Sequence, residues 1–110
     1  MKASDVLADA RGIILTYGLA RRTYYNPHDG SFCAKGAIFM AAGALTNPLV
    51  ANWSALSPAA RDGSLKAMQY LRRACGDYDI PHWNDARGRT ETEVLDTFDQ
   101  AIILAKEAGE

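Results

Sequence analysis

Trp83-Asn84-Asp85 sets a large ring, a carboxamide and a carboxylate side by side in one short stretch. An amide next to a carboxylate can hold a polar ligand. A carboxylate can also move protons, if a pocket and a partner group stand beside it. The sequence supplies neither. The preferred reading is structural: Trp83 packs between helices, Asn84 or Asp85 bonds loop amides, and Asp85 pairs with Arg87 or Arg89.

Cys33 stands at the expected start of a helix, where the dipole would favour a thiolate. A thiolate nucleophile wants a histidine base. His28 lies across a turn and His82 is remote, and neither spacing is a catalytic signature. Cys33 and Cys75 are read as structural thiols, and no catalytic residue is assigned. His28, Asp29, Asp79 and His82 fall in no zinc or calcium spacing, so no metal site is expected. No phosphate loop, nucleophile elbow or kinase element occurs, and no cofactor is implied. Arg21-Arg22-Thr23-Tyr24-Tyr25 interleaves cations with aromatic rings, the pattern of single-strand nucleic-acid binding. Lys35, Arg72, Arg73, Arg87 and Arg89 would extend that patch.

Four helices must position these residues. The first runs from about Ser4, read as its N-cap, to Tyr17, with Val6, Leu7, Ala10, Ile13, Ile14 and Tyr17 as its apolar stripe. Gly18 supplies the stop, and Gly12 suggests a close backbone neighbour. Thr23-Tyr24-Tyr25, the turn-forming Asn26-Pro27-His28-Asp29-Gly30 and Ser31-Phe32 predict a short hairpin or extended loop. The second helix spans about Cys33 to Leu45. Its small residues, Gly36 among them, predict a central, closely approached element. Residues 49–56 read as a short turn of helix.

Ser57-Pro58 opens the third helix, which runs to Cys75 with Leu65, Met68, Leu71, Ala74 and Cys75 as its stripe. Residues 77–85 read as a crossing pinned by Ile80 and Trp83. Thr90 and Glu93 form a capping box that starts the last helix, whose stripe is Val94, Leu95, Phe98, Ala101, Ile102 and Ala105.

A chain of 110 residues predicts one helical domain over residues 1–110. With 48% hydrophobic and 23% charged residues, it can build a core without disulfides or metals. A net charge of −1 and a pI near 6.1 argue against a dedicated nucleic-acid binder. The amino terminus has no signal pattern and no apolar run approaches a membrane span, so a cytoplasmic protein without a membrane partner is expected.

Trp83-Asn84-Asp85, Gly88-Arg89-Thr90 and Glu93-Val94-Leu95 together resemble the carboxy-terminal signature of a family of small proteins from actinobacteria and their phages, a domain of unknown function. Cys33 with Gly36-Ala37 in an alanine-rich helix, and a leading helix ending in Gly18, fit the same pattern. Leu19 stands where relatives often carry Trp, so any role of that Trp does not carry over. The resemblance implies a compact helical fold and an accessory or host-directed role, and no chemistry.

The expected function is a protein-interaction module, with a homodimer as one form of partnership. Its candidate contacts are Trp83, Asn84, Asp85, Arg21, Arg22, Tyr24 and Tyr25. Cys33, Gly36, Thr90 and Glu93 are assigned to structure. A nucleic-acid binder using Arg21 to Tyr25 is the second reading, and a small enzyme using Cys33 or Asp85 the third.

Overall fold

The computed structural model describes residues 1–43 and 57–110, so the expected turn at 49–56 and the far end of the second helix lie outside the described residues. Helix α1 (Ala3–Tyr17) buries Val6, Leu7, Ala10 and Ile14 along one face. Ser4 is not its cap. The helix begins at Ala3, after Lys2, and Ser4 turns inward. Its amide and hydroxyl both donate to the Glu110 carbonyl, at 2.9 and 3.0 Å. Tyr17 is displaced from the expected stripe, 57% exposed, with its ring edge-on to Phe32. Gly12 has no neighbour within 4 Å of where a Cβ would sit, so no close approach explains it.

The hairpin forms as read. Strand β1 (Tyr25–Asn26) pairs antiparallel with β2 (Ser31–Phe32), with Tyr25 opposite Phe32. Asn26 Oδ1 accepts the His28 amide, and Gly30 turns the chain at φ +75°. The Ala20 amide donates to the Phe32 carbonyl and the Phe32 amide to the Gly18 carbonyl, which ties the hairpin to the end of α1.

Helix α2 (Ala34–Ala41) is followed by Gly43 at φ +76°, a left-handed stop. It is central, with Ala34, Gly36, Ala37, Ile38 and Phe39 buried. Its tightest approach is to the hairpin segment. A Cβ on Gly36 would lie 2.2 Å from the Tyr24 carbonyl oxygen, which only glycine permits.

Helix α3 (Pro58–Cys75) starts at Ser57, whose hydroxyl accepts the Ala60 amide at 3.1 Å. Its buried face is Ala60, Gly63, Ser64, Ala67, Met68 and Leu71, while Leu65 is 45% exposed. The buried stripe is therefore rotated from the expected one at its start. Ser64 reaches the core because its hydroxyl donates to the Ala60 carbonyl. The crossing after α3 is itself helical: Asp79 caps a one-turn helix α4 (Ile80–Asn84), making five helices among the described residues.

Helix α5 (Glu91–Glu107) begins at the expected box. Thr90 Oγ1 accepts the Glu93 amide at 3.1 Å, and Glu93 reaches back to the Thr90 amide at 3.4 Å. Helices α1 and α5 pack side by side and antiparallel, as the Ser4–Glu110 contact and an Arg11–Asp99 ion pair at 2.8 Å require. Phe98 of α5, Leu7 and Ile14 of α1, Ile38 of α2 and Leu71 of α3 meet in one buried cluster.

Candidate functional site

Asp79 sets the site by ending the chain's reversal after α3. Its carboxylate accepts the His82 amide at 3.1 Å, and Pro81 occupies the first turn, where its missing N–H costs nothing. One turn then carries Trp83 and Asn84 inward, 5% and 0% exposed. Asn84 Oδ1 accepts the Ala34 amide at 2.9 Å, and Asn84 Nδ2 donates to the Ala20 carbonyl at 3.0 Å and to Asp85 Oδ1 at 3.0 Å. Asp85 Oδ1 also accepts the Arg22 amide at 3.0 Å. It holds Arg22 at φ +63°, the one non-glycine residue with positive φ among those described. The expected partner of Asp85, an arginine at 87 or 89, is replaced by these two N–H donors.

Arg21 closes the same clasp from the other side, donating to the carbonyls of Ala86 and Arg89. Arg89 donates Nε to the Trp83 carbonyl at 3.1 Å, lies 5.1 Å from the Trp83 ring, and pairs with Glu93 at 2.8 Å. The Arg89 hydrogen bond, with those from Thr90, holds the Glu93 carboxyl below its usual range. Trp83, Asn84, Asp85 and Arg21 thus bind the loop after α1, the start of α2 and the cap of α5 to one another. Tyr25 stacks on Phe32 at 4.9 Å and Tyr24 meets Phe39 edge-on at 5.6 Å. Of the Arg21–Tyr25 segment, only Arg22 sends its charge outward with no bond to its side chain among the described residues.

Cys33 is 3% exposed, and its sulfur accepts the Gly36 amide at 3.3 Å as the N-cap of α2. Burial pushes its thiol up, which outweighs the helix-end amides that pull it down. Among the described residues no histidine bonds it. The His82 ring instead bonds Asp77 through Nδ1 at 2.8 Å in solvent. Among the described residues no group of three His, Cys, Asp or Glu gathers as for a metal, and no helix is long and apolar enough to cross a membrane.

The surface beside the clasp is hollowed. A cleft of about 370 Å³ is lined by Arg22, Tyr24, Cys33, Pro81 and Asp85. Pro81 also lines a second hollow of about 220 Å³, with Lys35, Arg72, Tyr78 and Asp79. Arg72 and Tyr78 in turn line a third, of about 520 Å³, with Gln69, Tyr70 and Arg73. Each thus shares at least one wall residue with the next. Along them Lys35 sits 5.9 Å from the Tyr24 ring, Arg72 4.8 Å from Tyr78, and Arg73 5.6 Å from Tyr70.

Residues 1–104 match the family of unknown function DUF6197. The chain belongs to that family. No match is found among curated proteins or solved structures. The DUF6197 span takes in the whole clasp and the three hollows, and all of α5 except its last turn.

Tyr70 and Tyr78 are missing from the candidate residues that the sequence of this DUF6197 chain suggests, although Arg72, Arg73 and Lys35 stand among the possible patch residues. A partial signal is present. Tyr70 and Arg73 are three apart on one helix, hence neighbours on its surface. The Tyr78 contact is harder to foresee: Gly76, at φ +73°, reverses the chain and lays Tyr78 back over Arg72, whose Nε donates to the Tyr78 carbonyl at 2.8 Å.

Proposed function

We propose that the protein is a non-enzymatic interaction module that binds a protein partner across the three adjoining hollows. The observation that carries this reading is Tyr78. It is 84% exposed, yet it is held in place over the Arg72 guanidinium. Tyrosine and arginine supply large, rigid contact area and directional donors, and they dominate the energetics of protein interfaces. Tyr70 with Arg73, and Tyr24 with Lys35, repeat the arrangement. Trp83 and Asn84 serve the module as its internal support, because both are buried. The enzymatic reading is disfavoured. Cys33 lines the cleft but is buried, with its thiol pushed up and no histidine bonded to it among the described residues. Asp85 Oδ1 already accepts two N–H donors.

In this proposal the protein is a small accessory factor of an actinobacterium or its phage, acting in the host cytoplasm. A photoreactive phenylalanine analogue replacing Tyr78, expressed in an actinobacterial host, tests it. One cross-linked protein species is expected, lost when Tyr70→Ala and Arg73→Ala are added. Cross-links that ignore those substitutions, or that run only to nucleic acid, overturn the reading.

A further inference from the structure

We infer that the partner presents an extended acidic segment, which lies along the hollows between Arg22 and Arg73. The inference rests on the interaction-module reading and names the chemistry of its partner. Arg22, Lys35, Arg72 and Arg73 line the hollows, and none of them forms an ion pair among the described residues. Two carboxylates stand in the same walls, each held in place by N–H donors. Asp79 accepts the His82 amide as the cap of α4, and Asp85 accepts the amides of Arg22 and Asn84. Four cations against two carboxylates leave the walls of the hollows with a positive balance.

The shape points to a strand rather than a knob. Three shallow hollows share walls in series, and a tyrosine ring beside a cation recurs along them. An extended peptide presents every second side chain to one side, at a spacing of about 7 Å. A carboxylate can meet a cation while an apolar group two residues along, on the same side, lies on a tyrosine face.

A nucleic acid fits less well. It brings a charge at every residue past Asp79 and Asp85, toward a chain whose net charge is −1. A second copy also fits less well. Its acids cluster on α5, a helix and not an extended segment, and of these Glu93 is paired with Arg89 and Asp99 with Arg11.

Fluorescence anisotropy with a labelled synthetic peptide of Glu-Ser-Tyr-Ser repeats, which sets Glu and Tyr in turn on one face, tests the inference on the full chain. The peptide is expected to bind, and to weaken steeply as salt rises from about 50 mM to about 500 mM. Its Gln-for-Glu counterpart should bind at least about tenfold more weakly. Lys35→Glu with Arg73→Glu should cost a similar factor. Neither side chain makes a hydrogen bond or ion pair among the described residues, so only ring contacts and a favourable helix-end charge are lost and the melting temperature should fall only slightly. Should the charge reversal disturb the fold, the salt and Gln-peptide arms on the unaltered protein still decide.

Equal binding of the Gln peptide, or none of either, overturns the inference. So does tighter binding of a single-stranded oligothymidylate of equal length. Self-association by light scattering that the same two substitutions abolish would give the surface to a second copy, and would likewise overturn it. If the Tyr78 cross-link captures a protein while the acidic peptide fails to bind, the interaction reading stands and only the acidic segment falls.

Discussion

Asn84 Oδ1 accepts the backbone amide of Ala34 across fifty residues of chain, while its own amide donates to the Ala20 carbonyl. Both partners are main-chain groups, and Asn84 has no exposed surface. The side chain acts as a piece of secondary structure where none can form, joining α4 to the start of α2 and to the loop after α1. Removing it leaves a donor and an acceptor buried without partners. Asn84→Ala should cost about 2–6 kcal/mol, at about 1–3 kcal/mol per orphaned group. Asn84→Asp keeps the acceptor, loses the donor and sets a charge beside Asp85. It should be at least as harmful at pH 7 and should recover part of the loss near pH 4. Chemical denaturation at the two pH values checks this, and a silent Asn84→Ala would return Asn84 to the candidate ligand contacts.

Gly36 should tolerate no side chain. A Cβ there meets the Tyr24 carbonyl at 2.2 Å, and a carbonyl inside a paired segment cannot yield as a flexible side chain does. The Cys33 amide donates to that same oxygen. Gly36→Ala should destabilise by about 1–3 kcal/mol or more, the usual scale of overpacking. It should do so although alanine is the better helix former. A melting temperature unchanged or raised would show that α2 and the hairpin can part without cost.

Thr90 should behave as a cap and nothing more. Thr90→Ala removes the oxygen that receives the Glu93 amide and should cost about 0.5–2 kcal/mol. Thr90→Ser retains it and should melt close to the parent. Loss of partner binding in Thr90→Ala without loss of stability would contradict the assignment.

Cys33 should resist thiol reagents until the fold opens. Its sulfur is covered, and burial keeps the thiol protonated at neutral pH. Ellman's reagent under native conditions should react first at Cys75, which is only half-buried, though its thiol is also pushed up by burial. Cys33 should titrate at the rate of unfolding. Fast labelling of Cys33 in the Cys75→Ala variant would revive the nucleophile reading.

His82 should hold its proton to higher pH than an ordinary histidine. The hydrogen bond to Asp77, then the Asp77 charge, raises the ring's pKa, and the same bond lowers that of Asp77. The raised group stabilises the fold fully below its unfolded pKa and loses that contribution as pH rises through the folded value. The lowered Asp77 contributes above its unfolded pKa and loses its share as pH falls through the folded one. The pair therefore acts from the acid range up to the raised pKa of His82. Both groups face solvent, so the effect belongs in an NMR titration. Asp77→Asn should shift the His82 midpoint downward, and an unmoved midpoint refutes the pairing.

What the sequence made readable was local. The Thr90–Glu93 box, Ser57-Pro58 and the Asn26–Gly30 turn each bond within a few residues, so a short stretch of chain contains the whole interaction. Ser4 misled because its hydroxyl had a competitor, the Glu110 carbonyl, that lies at the far end of the chain. Leu65 misled because α3 buries Gly63, Ser64 and Ala67, small residues that a search for large apolar side chains passes over. The turn of α4 is too short to show a period. At the site, Trp83, Asn84 and Asp85 could be singled out by type. Their partners, Ala20, Arg22 and Ala34, offer only backbone groups, which every residue has, and nothing in the sequence distinguishes them.

The Ser4–Glu110 contact has a mechanical consequence. Because α1 and α5 run antiparallel with these residues at one end, tension applied through the two termini does not stretch the molecule along its helices. It peels α1 from α5 one turn at a time, beginning where Ser4 releases the Glu110 carbonyl. Contacts opened in sequence yield at a lower load than contacts sheared together. The Asn84 clasp, far from that end along the chain, would be among the last connections to give way.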